Sequence, residues 1–247
     1  MLTKILVIEC VTQQKLGFWN LNQFAHYFKH PELRTRTLNV ISLEFSESKL
    51  ASLVVRPRFV RQIDWIDLFW PKKSYEGYYP KVQLYCLMSV AGCYTDFHID
   101  FGGSSVYYHL ISGEKKFYFI APTPDNLKKY EKWTSSPDQC DVFFADLVNE
   151  VFECRLTPGE TLIIPTGWIH AVYTPIDSIV IGGNFLHGFS IPLQIKVDEI
   201  EIQTRVPEKY RFPYYFKVMW YAAEYYLGRM RGFFFFISII FFCYFKF

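Results

Sequence analysis

The sequence predicts a mainly β protein with flanking helices, an α+β arrangement. From Leu38 onward, short runs rich in Val, Ile, Tyr and Phe are bounded by Gly, Pro, Ser and Asp, a pattern typical of β barrels and sandwiches. After Pro192, scattered apolar residues and the aromatic run 214–226 indicate helices. With 51% hydrophobic residues over 247 positions, the chain can bury one sizeable core, which excludes a disordered protein.

The N-terminal segment is predicted to be helical. Apolar side chains between Leu16 and Phe28 recur at roughly helical spacing, and a proline does not continue a helix beyond its first turn. We therefore predict a helix within residues 12–30 that ends near Pro31. Residues 1–37 are assigned to an N-terminal helical flank.

Several strands are clearest in the barrel region, at residues 106–110, 116–120, 151–156, 161–164 and 179–181. The stretch 111–115 between the first two contains a glycine and is predicted to form a hairpin turn. Because side chains alternate along a strand, Tyr108 shares a face with Leu110, and Lys115 shares a face with Phe117.

A candidate metal site follows from one His-x-Asp pair. His98 and Asp100 are two apart, so in a strand both side chains point to the same face. His170 can supply a third ligand, and two histidines with one carboxylate are the ligands of non-heme Fe(II) oxygenases. Zinc could use the same ligands, and a lone His-x-Asp pair is more often a structural hydrogen bond. Strand alternation places Thr95 in the opposite phase.

Net charge and cysteine spacing limit which binding partners and which cellular compartment the sequence predicts. The net charge of +2 gives no basic stripe, so direct sequence-specific DNA binding is not predicted. The six cysteines have no zinc-finger spacing and are interpreted as core thiols. No secretory signal follows Met1, which favours a reducing nuclear or cytosolic compartment.

Long stretches of the chain resemble the JmjC domain of histone lysine demethylases. The resemblance is to the lysine demethylase 7 subfamily in particular, whose members join a plant homeodomain finger to a JmjC domain. The stretches that carry it are Leu38–Ser46 (LNVISLEFS), Arg56–Arg61 (RPRFVR), Tyr85–Val90 (YCLMSV) leading into the metal motif, Ile164–Val172 (IPTGWIHAV) and Gly182–His187 (GGNFLH).

This resemblance implies a double-stranded β-helix, a cupin-like jelly roll, as the catalytic core over residues 38–205, followed by a C-terminal helical region, 206–232. Residues 233–247 form an aromatic and apolar tail that departs from the family. A mis-predicted exon end or a truncation is our leading explanation, ahead of a tail anchor, because the tail is shorter than a membrane span. Without finger ligands, targeting is expected to come from elsewhere, or the chain is a fragment.

The resemblance also implies cofactors and site residues. Fe(II) would be held by the catalytic residues His98, Asp100 and His170, with 2-oxoglutarate and O2 as co-substrates. Lys115 is expected to bind the distal carboxylate of 2-oxoglutarate, with Thr95 and Tyr108 as hydroxyl donors to the same group. Two further pocket residues are expected, Asn39 and Asn184.

The implied activity is demethylation of mono- and dimethyl-lysine on the histone H3 tail, in the nucleus, with no membrane partner. An N-methyl group is hydroxylated while 2-oxoglutarate is converted to succinate, and the hydroxymethyl product releases formaldehyde. Two alternatives stay open at this point: a 2-oxoglutarate-dependent hydroxylase that acts on another protein, and a catalytically silent chromatin scaffold.

Overall fold

The computed structural model describes residues 4–10, 14–71 and 78–231. Its strands are β1 (Lys4–Glu9), β2 (Gln14–Asn20), β3 (Leu38–Glu44), β4 (Tyr85–Ser89), β5 (Tyr94–His98), β6 (Ser105–Ile120), β7 (Phe152–Leu156), β8 (Thr161–Ile164) and β9 (Ile169–Phe185). Its α-helices are α1 (Leu21–Lys29), α2 (Arg58–Ile63), α3 (Trp65–Phe69), α4 (Pro124–Thr134), α5 (Ile191–Gln203) and α6 (Tyr215–Arg231). The predicted class, mainly β with flanking helices, is confirmed.

Two long antiparallel strands organise the sheet. β6 and β9 pair along almost their entire lengths, from Ser105 opposite Phe185 to Ile120 opposite Ile169. The first half of β6 also pairs with β8, and the second half pairs with β7. Likewise β9 pairs with β5 near its start and with β4 near its end. The sheet continues outward from β4 through β3 and β1 to β2.

The two halves of β6 face each other. Tyr108 and Phe117 are nine residues apart, which in a straight strand would separate them by roughly 30 Å. Their ring centroids instead lie 5.1 Å apart in a T-shaped contact. The strand therefore folds over at its middle, and side chains of both halves pack into one core cluster with Leu110, Phe119 and Val180.

The predicted hairpin at residues 111–115 is wrong. The segment continues β6 as an irregular stretch, where the pairing register with β9 shifts three times between Leu110 and Lys116. Gly113 has a φ of 87° there, and a Cβ at this position would lie 2.1 Å from the carbonyl oxygen of Asp177. Glycine at this position thus allows the two strands to approach closely and does not form a turn.

The N-terminal helix prediction is only partly correct. Residues 14–20 form strand β2, which pairs with β1, and the helix begins at Leu21. Asn20 caps the helix there, because its side chain accepts a hydrogen bond from the backbone N–H of Gln23. In return, the Gln23 side chain accepts a hydrogen bond from the backbone N–H of Asn20. The apolar spacing did not predict strand β1. Pairing with β1 makes residues 14–20 a strand, although their apolar residues recur at helical spacing.

The C-terminal helices agree with the prediction. α6 packs on α3 in a core cluster that includes Trp65, Phe212 and Val218. Among the described residues, none of the helices has both the length and the hydrophobicity that a membrane span requires. The predicted tail, 233–247, lies outside the described residues.

The cysteine prediction holds for some residues and fails for another. Cys10, Cys86 and Cys93 are buried, as expected of core thiols. Cys140 is exposed, since it lies in a short surface helical turn after α4. Cys243 lies outside the described residues.

The irregular middle of β6 gives a test of the fold. We expect Gly113→Ala to lower the free energy of unfolding, measured by urea denaturation, by about 1–3 kcal/mol more than Gly159→Ala does. Both glycines have a positive φ, of 87° and 90°, but only Gly113 has a neighbour within 4 Å of the added Cβ. Equal effects of the two substitutions would show that the strands do not approach as described.

Candidate metal centre and its cavity

Strand pairing brings two histidines face to face. His98 at the end of β5 lies directly opposite His170, the second residue of β9, and their ring centroids are 4.2 Å apart. Asp100 follows two residues after β5, and its Oδ2 lies 3.6 Å from His170 Nε2. One ligand atom from each of these three side chains lies within 4.8 Å of the other two. The structure thus brings the predicted triad together.

The local backbone fixes which nitrogen of each histidine is available. His98 Nδ1 lies 2.8 Å from the carbonyl oxygen of Asp96, and His170 Nδ1 lies 3.0 Å from that of Trp168. A carbonyl oxygen only accepts, so Nδ1 carries the proton and Nε2 keeps a free lone pair. Burial lowers the pKa of His170 to about 4, so its ring is neutral at physiological pH. Both rings are thereby prepared to ligate a metal.

The carboxylate of Asp100 is oriented by an amide. Asn184 Nδ2 donates to Asp100 Oδ1 at 3.3 Å and to Ser104 Oγ at 2.9 Å. After Asp100 the chain turns through Gly102 and Gly103, which have φ values of 59° and 60° and pack against the helices at the C-terminal side. The loop that carries Asp100 is therefore held by both a side chain and the backbone.

The eight residues predicted for the site all line one cavity of about 180 Å³: Asn39, Thr95, His98, Asp100, Tyr108, Lys115, His170 and Asn184. Thr95 was predicted by alternation to face away from His98. A β-bulge reverses this, because β5 advances three residues from Thr95 to His98 while β9 advances two, from Val172 to His170. The extra residue returns Thr95 to the face of the ligands.

Lys115 is the most unusual group in the cavity. Only 3% of its surface is exposed, and its Nζ donates to Ser89 Oγ at 2.8 Å and to Thr174 Oγ1 at 2.7 Å. Within the described part of the chain it forms no ion pair with a carboxylate. Burial lowers its pKa to about 7. Among the described residues, therefore, no carboxylate serves as a counter-ion for the charged form of Lys115.

The neighbours of Lys115 were not predicted as site residues. Ser89 also donates to Asn39 Oδ1 at 2.8 Å, which links the lysine to that amide. Ser89 lies in the stretch Tyr85–Val90 that carries the family resemblance, so this stretch could have indicated Ser89 as a site residue. Thr174 has no local signal, because it meets Lys115 only through the pairing of β9 with β6.

The other histidines do not join the site. His109 bonds to Thr161 Oγ1 at 2.8 Å, and His187 is buried and bonds to Ser105 Oγ at 2.9 Å. Across the described ranges, the triad is the one group of three or more His, Cys, Asp or Glu side chains with metal-ligand geometry. Two imidazole nitrogens and one carboxylate oxygen fit Fe(II), with the remaining coordination positions open.

Comparison with known proteins agrees with this site. The model of the JmjC domain, described as a hydroxylase, matches residues 85–185, and that of the Jumonji helical domain matches residues 189–234. Lysine-specific demethylase 2A of Xenopus tropicalis is 52% identical over 90% of this chain. JmjC domain-containing histone demethylation protein 1 of Aspergillus fumigatus is 52% identical over 91% of it. Lysine-specific demethylase 7B of Danio rerio is 47% identical over 90% of it.

The chain spans 20%, 16% and 38% of the lengths of these three relatives, respectively. The similarity therefore covers one region of larger proteins and extends to both the 2A and the 7B demethylases. The folded-over strands and the family match together confirm the predicted double-stranded β-helix core. The chain carries a JmjC domain followed by a Jumonji helical domain, and it resembles the JmjC lysine demethylases.

Proposed function

We propose that this chain is an Fe(II)- and 2-oxoglutarate-dependent dioxygenase that removes methyl groups from lysine. The observation that carries the proposal is Lys115, a buried cation without a carboxylate partner among the described residues, in the same cavity as the metal triad. A buried charge is stable only when it is paired. A cavity with one metal and one cation at separate points on its wall fits a short dicarboxylic acid.

Three groups support the distal carboxylate of 2-oxoglutarate in this proposal. Lys115 supplies the charge, and Thr95 and Tyr108 supply hydroxyl donors from the same cavity wall. Burial raises the pKa of Tyr108 above its ordinary value, so the phenol keeps its proton and can donate. Ser89 and Thr174 hold the Lys115 ammonium in place.

The residues of the protein bind and orient the reactants, and they exclude water. His98, Asp100 and His170 would hold Fe(II), which, with 2-oxoglutarate and O2, supplies the oxidant for hydroxylation of an N-methyl group. The rings of Phe117 and Phe119 lie 6.4 and 5.7 Å from that of His170 and form an apolar wall beside it. Phe117 also lines the cavity, so its ring adds apolar surface that disfavours water there. The hydroxymethyl amine then breaks down to formaldehyde and the demethylated lysine, with succinate and CO2 as co-products.

We propose mono- and dimethyl-lysine of the histone H3 tail as substrates, and the nucleus as the location. The support is the similarity to relatives that are named lysine-specific demethylases and a histone demethylation protein. A net charge of +2 gives no basic stripe, so we do not propose direct sequence-specific DNA binding.

Loss of one ligand tests the reaction. With anaerobically iron-loaded protein, methylated H3 peptides and O2, we expect peptide-stimulated succinate release, and we expect His170→Ala to reduce it to background. Iron affinity should fall roughly a hundredfold or more, since even the loss of a group that only hydrogen-bonds to a metal ligand costs about 10–100-fold. His109→Ala is the matched control, because His109 lies outside the cavity and bonds to Thr161.

The product mass separates the proposed demethylase from its alternatives. Loss of a methyl group with formaldehyde release supports demethylation, whereas a peptide that gains one oxygen identifies a protein hydroxylase. Iron and 2-oxoglutarate binding without turnover of any peptide would instead favour a silent scaffold.

The lowered pKa of Lys115 predicts a pH dependence of co-substrate binding. Above pH 7, Lys115 of the free protein loses its proton, whereas the complex with a carboxylate retains it. The dissociation constant of 2-oxoglutarate for zinc-loaded protein, measured by calorimetry, should therefore rise about tenfold per pH unit between pH 7.5 and 8.5. In Lys115→Arg the charge persists, so the constant should be larger but independent of pH. A wild-type constant that stays flat over this range would contradict the role of Lys115.

A further inference from the structure

A second cavity of about 180 Å³ adjoins the metal centre. It shares His98, Asp100 and Phe101 with the first cavity. The rest of its wall comes from Ile99, α4, α5 and the segment that follows α5. Tyr130 and Thr134 of α4 line one part, and Glu201 of α5 lines another. None of the roles proposed above uses this space.

Glu201 holds the metal loop with one oxygen and leaves the other without a partner. Its Oε1 accepts a hydrogen bond from the backbone N–H of Gly102 at 2.8 Å, two residues after the ligand Asp100. Its Oε2 is buried and has no hydrogen-bond partner among residues 4–10, 14–71 and 78–231. Only 8% of Glu201 is exposed, and burial raises its pKa to about 7. An unpaired buried carboxylate oxygen is costly, so it indicates a missing donor.

The surroundings of Glu201 are short of positive charge. Asp198, one turn earlier on α5, exposes 7% of its surface and adds a second buried carboxylate. The cation associated with both is Arg211, which donates instead to the backbone carbonyl oxygens of Val206 at 2.9 Å and Glu201 at 3.4 Å. Within the described part of the chain, neither carboxylate forms an ion pair with it.

The lysines beside Tyr210, which lines the cavity, do not supply the missing charge. Lys15 and Lys209 are exposed and lie over the ring of Tyr210, with Nζ atoms 4.3 and 4.9 Å from its centroid. Exposed ammonium groups are hydrated and screened by salt, so they compensate a buried carboxylate poorly. They also repel an incoming cation only weakly for the same reason.

We infer that this second cavity binds a small organic cation with N–H donors, a guanidinium or an ammonium group, which donates to Glu201 Oε2. Ordered water could satisfy the oxygen but not the excess of negative charge. The ligand has two sources: an arginine or lysine side chain beside the methyl-lysine of a peptide substrate, which rests on the proposed function, or a free cation. In either case the bound cation contacts Glu201, and Glu201 in turn holds Gly102 in the loop that carries Asp100.

A pair of isosteres tests the site without turnover. Methylguanidinium and methylurea have nearly the same shape, and only the first carries a charge. We expect ligand-observed saturation-transfer NMR of the zinc-loaded full chain to detect methylguanidinium binding at least about tenfold tighter than methylurea, as for a charge-assisted hydrogen bond. Equal binding of the two, or binding of neither, would overturn the inference.

Two glutamates on one helix provide the variant and its control. Glu201→Gln keeps an oxygen acceptor for Gly102 N–H but removes the charge, so it should lose about tenfold in methylguanidinium affinity. Glu199→Gln removes an exposed charge that bridges to Lys196 and should change nothing. A Glu201→Gln protein that retains full affinity would contradict the inference. The isostere comparison in wild-type protein decides the matter even if this variant does not fold.

Peptides identify the source of the cation. We compare methyl-lysine peptides that carry arginine or citrulline beside the methyl-lysine, because citrulline is the neutral isostere of arginine. A peptide KM that rises about tenfold with citrulline in wild-type protein, but not in Glu201→Gln, assigns the cavity to the substrate. An unchanged KM alongside methylguanidinium binding assigns it to a free cation. If no peptide turns over at all, the proposed function fails while the isostere result stands.

Discussion

The antiparallel pairing of β6 with β9 is the interaction on which the site depends. These two strands carry Tyr108, Lys115, His170 and Asn184, which are four of the eight predicted site residues that line the first cavity. Because both strands fold over at their irregular middles, residues from opposite halves meet across a shared interior. The backbone hydrogen bonds between them fix positions that no single strand could fix.

Small departures from regular geometry then refine the chemistry. The extra residue in β5 turns Thr95 toward His98, and the left-handed glycines after Asp100 bring that loop against the helices. Backbone carbonyls select the Nε2 atom of both histidines, and burial keeps His170 neutral. The polar site is thus prepared by the protein before any ligand arrives, which reduces the cost of reorganisation.

The sequence was informative where chemistry depends on local spacing. Ligand spacing predicted His98 and Asp100, and alternation placed Tyr108 beside Leu110 correctly. Prediction from the sequence failed where pairing between distant strands determines the structure. Pairing with β1 makes part of the predicted helix the strand β2, and pairing with β9 makes the predicted hairpin a bend in β6. Glu201 could not be predicted, because its contact with Gly102 joins parts of the chain that lie far apart in sequence.

The pairing of His98 with His170 also couples metal affinity to folding. The two histidines are distant in sequence, and their meeting requires β5 to find β9. An unfolded chain therefore has no preformed site for a metal ion. Because only the native state binds the ion, metal binding would add directly to the stability of that state. At a thousandfold excess over its dissociation constant, a ligand that binds only the folded form contributes about 4 kcal/mol. For a domain that acts as proposed, depletion of the metal would thus lower both its activity and its lifetime in the cell.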